Sequence, residues 1–336
     1  MSDVRVANRG EAVVRESSRA EEGNATGFVL PPTISPQARD YFFQNMSRAA
    51  RDAVTVPDDD DLQGWDAYNQ AELARRKPGN RALVARYGCR LETLDLAGVP
   101  VLSITPPGWE DDDSTVFYTH GGGFVGGTAA DAMDSTLPIA TEGGLRVLSV
   151  DYMLAPRADF MAATRQVATA ISALGSPVGL YGDSAGGGLA AASALRLRDE
   201  GSRLVKALVL WSPWVDLACR GDTAMTLSDV EPFYTYETLL RHAARVYAGD
   251  NLAHPYASPV NGDFAGGYPP TLIQCGTREL LLSDSVRLYQ ALVGAGREAT
   301  LDLYEGMWHV FQFKPIDAPE ASTARARSIA FLRNRL

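Results

Sequence analysis

From about residue 91 onward the apolar positions gather into short runs. Leu91 to Leu96 and Val101 to Thr105 alternate on either side of the turn Gly98-Val99-Pro100, as the strands of a hairpin do. Beyond Pro106-Pro107-Gly108 the character changes. Thr115 to Thr119, Leu145 to Val150, Val178 to Tyr181, Leu204 to Trp211, Thr271 to Cys275 and Thr300 to Tyr304 are short apolar runs, mostly with helical segments between them. This alternation predicts an α/β fold with a mostly parallel central sheet covered by helices on both faces, begun by an antiparallel hairpin. Upstream, from Met1 to about Arg90, the pattern is helical and loop-like. Tyr41-Phe42-Phe43 and Trp65-Asp66-Ala67-Tyr68 supply aromatic anchors there, and Pro31-Pro32 and Pro78-Gly79 mark breaks. The organisation expected is a helical segment over residues 1–90 and a sheet domain over 91–336. A long interruption at about 214–268 is expected to form an insertion over one end of the sheet, with a helix at Thr235 to Tyr247.

With 336 residues, 46% hydrophobic and 21% charged, the composition is that of a globular protein with a large core. The net charge of -10 argues against a nucleic-acid surface. The acidic runs Asp58 to Asp61 and Asp111 to Asp113 read as solvated loops. Three widely spaced cysteines, Cys89, Cys219 and Cys275, suggest neither a disulfide framework nor a metal or redox pair, and favour a reducing compartment. The first thirty residues are polar, and no run of 18 apolar residues occurs, so a cytoplasmic protein without a membrane span is expected.

Candidate chemistry centres on Gly182-Asp183-Ser184-Ala185-Gly186, between a strand and a helix. This is the pattern of a nucleophile elbow, in which glycines flank a serine because the tight turn leaves no room for Cβ atoms. About sixty residues earlier, His120-Gly121-Gly122-Gly123-Phe124 follows another strand, and consecutive glycines let backbone N–H groups converge on a developing oxyanion. A nucleotide site is the competing reading of such a glycine-rich turn, and no P-loop lysine follows any strand. Of the four histidines, His242 and His254 lie in the insertion without a motif. His309, after the last strand, completes the chain order serine, acid, histidine. Two carboxylates compete for the acid: Glu279, in the loop after Thr271 to Cys275, and Asp284 five residues later. Asp284 and Ser283 also read as a cap or first-turn residue of a helix running through Ser285 to Leu292.

On His120-Gly121-Gly122-Gly123, Asp151-Tyr152-Met153-Leu154-Ala155-Pro156, Gly182-Asp183-Ser184-Ala185-Gly186 and Gly306-Met307-Trp308-His309, the chain resembles the hormone-sensitive lipase family of bacterial esterases within the α/β-hydrolases. The resemblance spans roughly residues 91–336, and the first 90 match only as a helical cap. It implies Ser184 as nucleophile, His309 as general base, the N–H groups of Gly122, Gly123 and Ala185 as oxyanion hole, and His120 and Gly121 as support for that loop. Family members carry Asp-Pro-Leu where this chain has Glu279-Leu280-Leu281, and that register places Glu279 as the triad acid, with Asp284 the alternative. They carry Arg and Glu where this chain has Met153 and Arg157. The activity implied is carboxylic ester hydrolysis on short- to medium-chain esters of small molecules, with lactones or amides as other acyl substrates and no metal or organic cofactor. Similar esterases often dimerise, which suggests a homodimer. A non-catalytic receptor of the same fold would be expected to lack the histidine that is present here as His309. Phe124, Trp214, Phe233, Tyr234 and Trp308 are the aromatics expected to line a substrate pocket between sheet and cap.

Overall fold

The computed structural model describes residues 27–110 and 114–336. Strands β1 (Arg90–Leu96) and β2 (Val99–Thr105) form a hairpin around Ala97 and Gly98, whose φ values are 55° and 83°. Two successive positive φ values suit a two-residue turn that follows the strand twist. The turn therefore comes earlier than Gly98-Val99-Pro100, and Val99 and Pro100 open the second strand. The sheet is completed by β3 (Thr115–Thr119), β4 (Arg146–Val150), β5 (Val178–Asp183), β6 (Val205–Trp211), β7 (Thr271–Gly276) and β8 (Ala299–Tyr304), in the order β1-β2-β4-β3-β5-β6-β7-β8. β2 pairs antiparallel with β1 and β4, and the remaining pairings are parallel. The mostly parallel α/β sheet expected from the pattern of runs is the one observed.

Strands β3, β5 and β7 are buried along their whole length, which is why they read as continuous runs and not as alternating ones. The pleat sends successive side chains to opposite cores. Phe117, Leu148, Leu180 and Leu208 join the core under α5 (Phe160–Leu174) and α6 (Ala185–Asp199). Val116, Tyr118, Val147, Tyr181, Val209 and Trp211 join the core under α4 (Met133–Gly143) and α10 (Pro319–Arg333).

The N-terminal segment builds a third core. Ser35 accepts a hydrogen bond from the Ala38 amide at the start of α1 (Pro36–Asn45), with proline at the first helical position. Phe28, Ile34 and Phe42 then pack on Met307, Trp308 and Phe311. Phe42 is fully buried, with its ring 5.1 Å from Trp308 and 5.4 Å from Phe28. Phe42→Ala is expected to lower the free energy of unfolding in urea by about 3–5 kcal/mol through lost transfer energy and the cavity left behind. An unchanged midpoint would contradict this packing.

After α2 (Arg48–Asp52), α3 (Leu62–Tyr87) is capped by Asp61 and ends at Gly88. The helix runs through Pro78, so the break expected at Pro78-Gly79 is absent. Proline removes one amide donor, and α3 is held against its neighbours by contacts such as Asn80 donating to the Asp131 carbonyl and carboxylate. Of the acidic runs, Asp61 forms this cap and Asp59 lies 2.8 Å from His242 Nδ1, whereas Asp111 to Asp113 lie outside the described residues.

The insertion between β6 and β7 contains α7 (Thr223–Thr226) and a wide helical turn, Tyr236–Leu240, that continues into α8 (Arg241–Ala248). Reciprocal bonds between Thr235 and Thr238 cap that turn. Arg51 of α2 is buried and donates to the carbonyls of Ser228 and Glu231, at 2.5 and 2.7 Å, tying the N-terminal segment to the insertion. Cys89, Cys219 and Cys275 are unpaired thiols. Among the described residues, no helix is long and apolar enough to cross a membrane.

Candidate active site

The site begins where β5 stops. Ser184 separates β5 from α6 and holds φ 56° and ψ -126°, a conformation that costs a residue with a side chain about 1–3 kcal/mol. Surrounding bonds hold it there. Its N–H donates to the Trp211 carbonyl at 2.9 Å, and its carbonyl accepts from Trp214 and Gly188 at 2.9 and 3.1 Å. A Cβ on Gly186 would lie 2.1 Å from the Thr119 carbonyl oxygen, so only glycine lets the first turn of α6 approach β3 this closely. Ala185 opens α6, where backbone N–H groups have no partner within the helix.

The glycine loop leaves β3 beside this turn. Gly122 has φ 123°, and a Cβ there would meet the Gly126 carbonyl oxygen at 2.1 Å. The loop is braced from behind. Tyr152 donates to the His120 carbonyl at 2.7 Å while its ring stacks on the His120 imidazole, and the Ala155 amide donates to the Phe124 carbonyl. His120 Nδ1 lies 2.8 Å from the Gly121 carbonyl, and burial pushes this imidazole down to about 4, so it stays neutral. Asp183 joins loop and elbow by accepting from the Tyr118 hydroxyl and from the Gly121 amide. Met153 is largely exposed and Arg157 pairs with Asp66 at the surface, so neither lies behind Ser184.

His309 Nε2 is 2.9 Å from Ser184 Oγ. On the other side of the ring, Nδ1 is 3.4 Å from Oε2 of Glu279, which is completely buried. The backbone beside His309 is anchored by the Val310 amide donating to Ser212 Oγ, and the Tyr234 ring meets the imidazole edge-on. Burial, and after it the nearby Lys314 charge, holds His309 well below the ordinary imidazole range, while burial raises the Glu279 carboxyl. Each group alone resists charge in this dry setting. An imidazolium formed by taking a proton from Ser184 would be stabilised by a carboxylate at that distance.

Asp284 is occupied elsewhere. It sits in the first turn of α9 (Leu282–Gly294), where its Oδ2 accepts from the amides of Val215 and Asp216 at 2.9 and 2.8 Å. Asp284 is thus the first-turn acid that one of the two expectations had, whereas Ser283 Oγ donates to Asp222 and no side chain caps the helix.

A cavity of about 430 Å³ opens onto Ser184 and His309. Gly121, Gly122 and Gly123 form one wall, Phe233, Tyr234, Leu239 and Leu240 of the insertion another, and Val54, Thr55 and Tyr68 of the N-terminal segment a third. Of the five aromatics expected in the pocket, only Phe233 and Tyr234 line it. Phe124 stacks between Tyr247 and Trp214 beneath the loop, and Trp308 packs against Tyr41 and Phe42 while donating to the Lys314 carbonyl. These three rings are at most 2% exposed, because large apolar surfaces are more stable filling the core than facing a wet pocket.

Sequence reasoning passed over Asp183, Ser212 and Glu231. Glu231 is buried and accepts from the amides of Phe233 and Leu280, joining the insertion to the Glu279 loop. Its single carboxylate among many in a polar loop carries no spacing signal. Asp183 stands within the elbow motif, and its place beside Ser184 was the available clue.

A family model described as the α/β hydrolase fold matches residues 116–313. An acetyl-hydrolase of Streptomyces hygroscopicus is 38% identical over 228 residues, covering 66% of this chain and 76% of that protein. An esterase of Acinetobacter venetianus is 31% identical over 219 residues, covering 63% of this chain and 72% of that protein. Among solved structures, an esterase superposes with a TM-score of 0.83 at 29% identity, covering 91% of this chain and 96% of the other. An esterase of the bacterial hormone-sensitive lipase family superposes with a TM-score of 0.76 at 32% identity, covering 90% of this chain and 98% of the other. The chain belongs to the α/β-hydrolase fold family, within its hormone-sensitive lipase group of bacterial esterases.

Proposed function

We propose that this protein hydrolyses carboxylic esters of small acyl groups through an acyl-enzyme on Ser184. His309 takes the proton of Ser184 as Oγ attacks the ester carbonyl. Glu279 holds the imidazole with its proton on Nδ1 and stabilises the imidazolium that forms. The backbone N–H groups of Gly122, Gly123 and Ala185 receive the oxyanion, and His309 then returns its proton to the leaving alcohol. Water attacks the acyl-enzyme in the second half-reaction, with His309 again as base. Residues 1 to about 90 and the insertion at 214–268 act together as a cap that selects the substrate. The observation carrying this reading is the 2.9 Å approach of His309 Nε2 to Ser184 Oγ at the floor of the cavity. The acetyl-hydrolase name of one relative supports a small acyl group.

A panel of p-nitrophenyl acetate, butyrate and decanoate, with a lactone and an anilide, tests the reading. The acetate and butyrate are expected to have the highest kcat/KM, with the decanoate lower by about tenfold or more because a long chain must fit within a cavity of about 430 Å³. Hydrolysis of no ester above the level of a Ser184→Ala control would overturn the assignment.

A further inference from the structure

The cavity carries a cation, Lys314, that makes no contact of ion-pair length with a carboxylate among the described residues. The ammonium of Lys314, a half-buried residue, lies over the rings of Phe233 and Phe313, 4.9 and 5.1 Å from their centroids, and all three residues line the cavity that reaches Ser184. The two arginines that line the cavity are engaged. Arg75 pairs with Glu72 at 2.7 Å, and Arg76 lies 3.6 Å from Asp131 and 3.9 Å from Glu72. Lys314 forms no ion pair with any described carboxylate.

The groups that face it account for this. Asp183, at the end of β5, already accepts from Tyr118 and Gly121. Glu72, on α3, is held by Arg75 and Arg76, whose positive charges also bear on Lys314. Asp134, on α4, is the remaining acid; burial raises its carboxyl while the charges of Lys314 and Arg76 pull it back down, and it lies beyond ion-pair distance of Lys314. His309 is kept neutral. A partly desolvated ammonium beside two flat apolar rings is a receptor for an anionic group on an apolar stem.

We propose that Lys314 anchors an anion subsite, so that the preferred ester carries a carboxylate on the part that fills the cavity. This rests on the ester-hydrolase reading and names its substrate class. Burial, reinforced by Arg76, pushes the ammonium of Lys314 down to about 8, so the subsite loses its charge as pH rises through that value.

The test compares kcat/KM within pairs of esters that differ in one negative charge, each member normalised to its hydroxide-catalysed rate. The first pair, 4-acetoxybenzoate and its neutral methyl ester, places the charge on the alcohol side. The second, monophenyl glutarate and methyl phenyl glutarate, places it on the acyl side. In one pair the native enzyme is expected to favour the anion by about tenfold near pH 7, the effect of one charge-assisted contact in a partly dry site. That ratio should fall toward unity as pH rises through about 8, with the titration of His309 cancelling within each pair. Lys314→Met should remove the preference and Lys314→Arg should keep most of it. A native ratio near unity in both pairs at every pH overturns the subsite while leaving ester hydrolysis intact. So does a preference that neither pH nor Lys314→Met reduces, and the pH series decides the matter even if the methionine variant does not fold. Failure to cleave any member faster than Ser184→Ala defeats the ester-hydrolase reading itself, and the subsite with it.

Discussion

Ser184→Ala is expected to abolish ester hydrolysis with little change in thermal stability. Removing Oγ eliminates the acyl-enzyme path, and in a comparable triad such losses reach about 10⁶-fold in kcat. The residual rate over water comes from binding and the oxyanion donors, worth roughly 10³–10⁴-fold. The fold should tolerate the change, because alanine accepts the positive φ about as well as serine. The bonds that hold the turn run from the backbone of residue 184 to Trp211, Trp214 and Gly188. Steady-state hydrolysis of p-nitrophenyl acetate, with a melting curve beside it, checks both statements. More than a few per cent of native activity in contaminant-free protein would remove Ser184 from its role.

Glu279→Gln is the second large effect, and its contrast with Asp284→Asn is the informative part. Glutamine keeps the shape of the buried side chain but cannot balance an imidazolium, and its amide favours the wrong tautomer of His309. Losses of about 10⁴-fold in kcat follow from this change elsewhere. The 3.4 Å separation between Glu279 Oε2 and His309 Nδ1 is long for a hydrogen bond, and such contacts commonly tighten only when substrate is bound. The additional methylene of glutamate gives the carboxylate the reach to close it. Asp284→Asn leaves an oxygen to accept the amides of Val215 and Asp216, so it should cost about 1 kcal/mol of stability and far less activity. Urea melts and kcat for both variants separate the two roles. An inactive Asp284 variant beside an active Glu279 variant would reassign the triad to Ser184, Asp284 and His309.

What the sequence alone determined is local in character. Short, largely apolar runs at 115–119, 178–181 and 271–275 read as strands covered on both faces, and glycines at 121–123 and around Ser184 announced backbone that side chains would obstruct. Those features depend on φ preferences and on apolar period, which neighbouring residues encode among themselves. Tertiary structure decided everything that depends on which way a side chain faces after the elements have packed. Glu279 and Asp284 are five residues apart on one connection, yet α9 turns the second toward the amides of Val215 and Asp216 while the first lies buried beside His309. Phe124, Trp214 and Trp308 looked as suited to a pocket as Phe233 and Tyr234, but the first three found cores to fill. Helix α3 crosses Pro78 because contacts with its neighbours hold it on either side of the proline. Arg76 and Lys314 share a cavity although most of the chain separates them, and no spacing rule reaches that far. A short segment specifies its own conformation through local sterics, whereas the partners of its side chains are set by the packing of the whole chain.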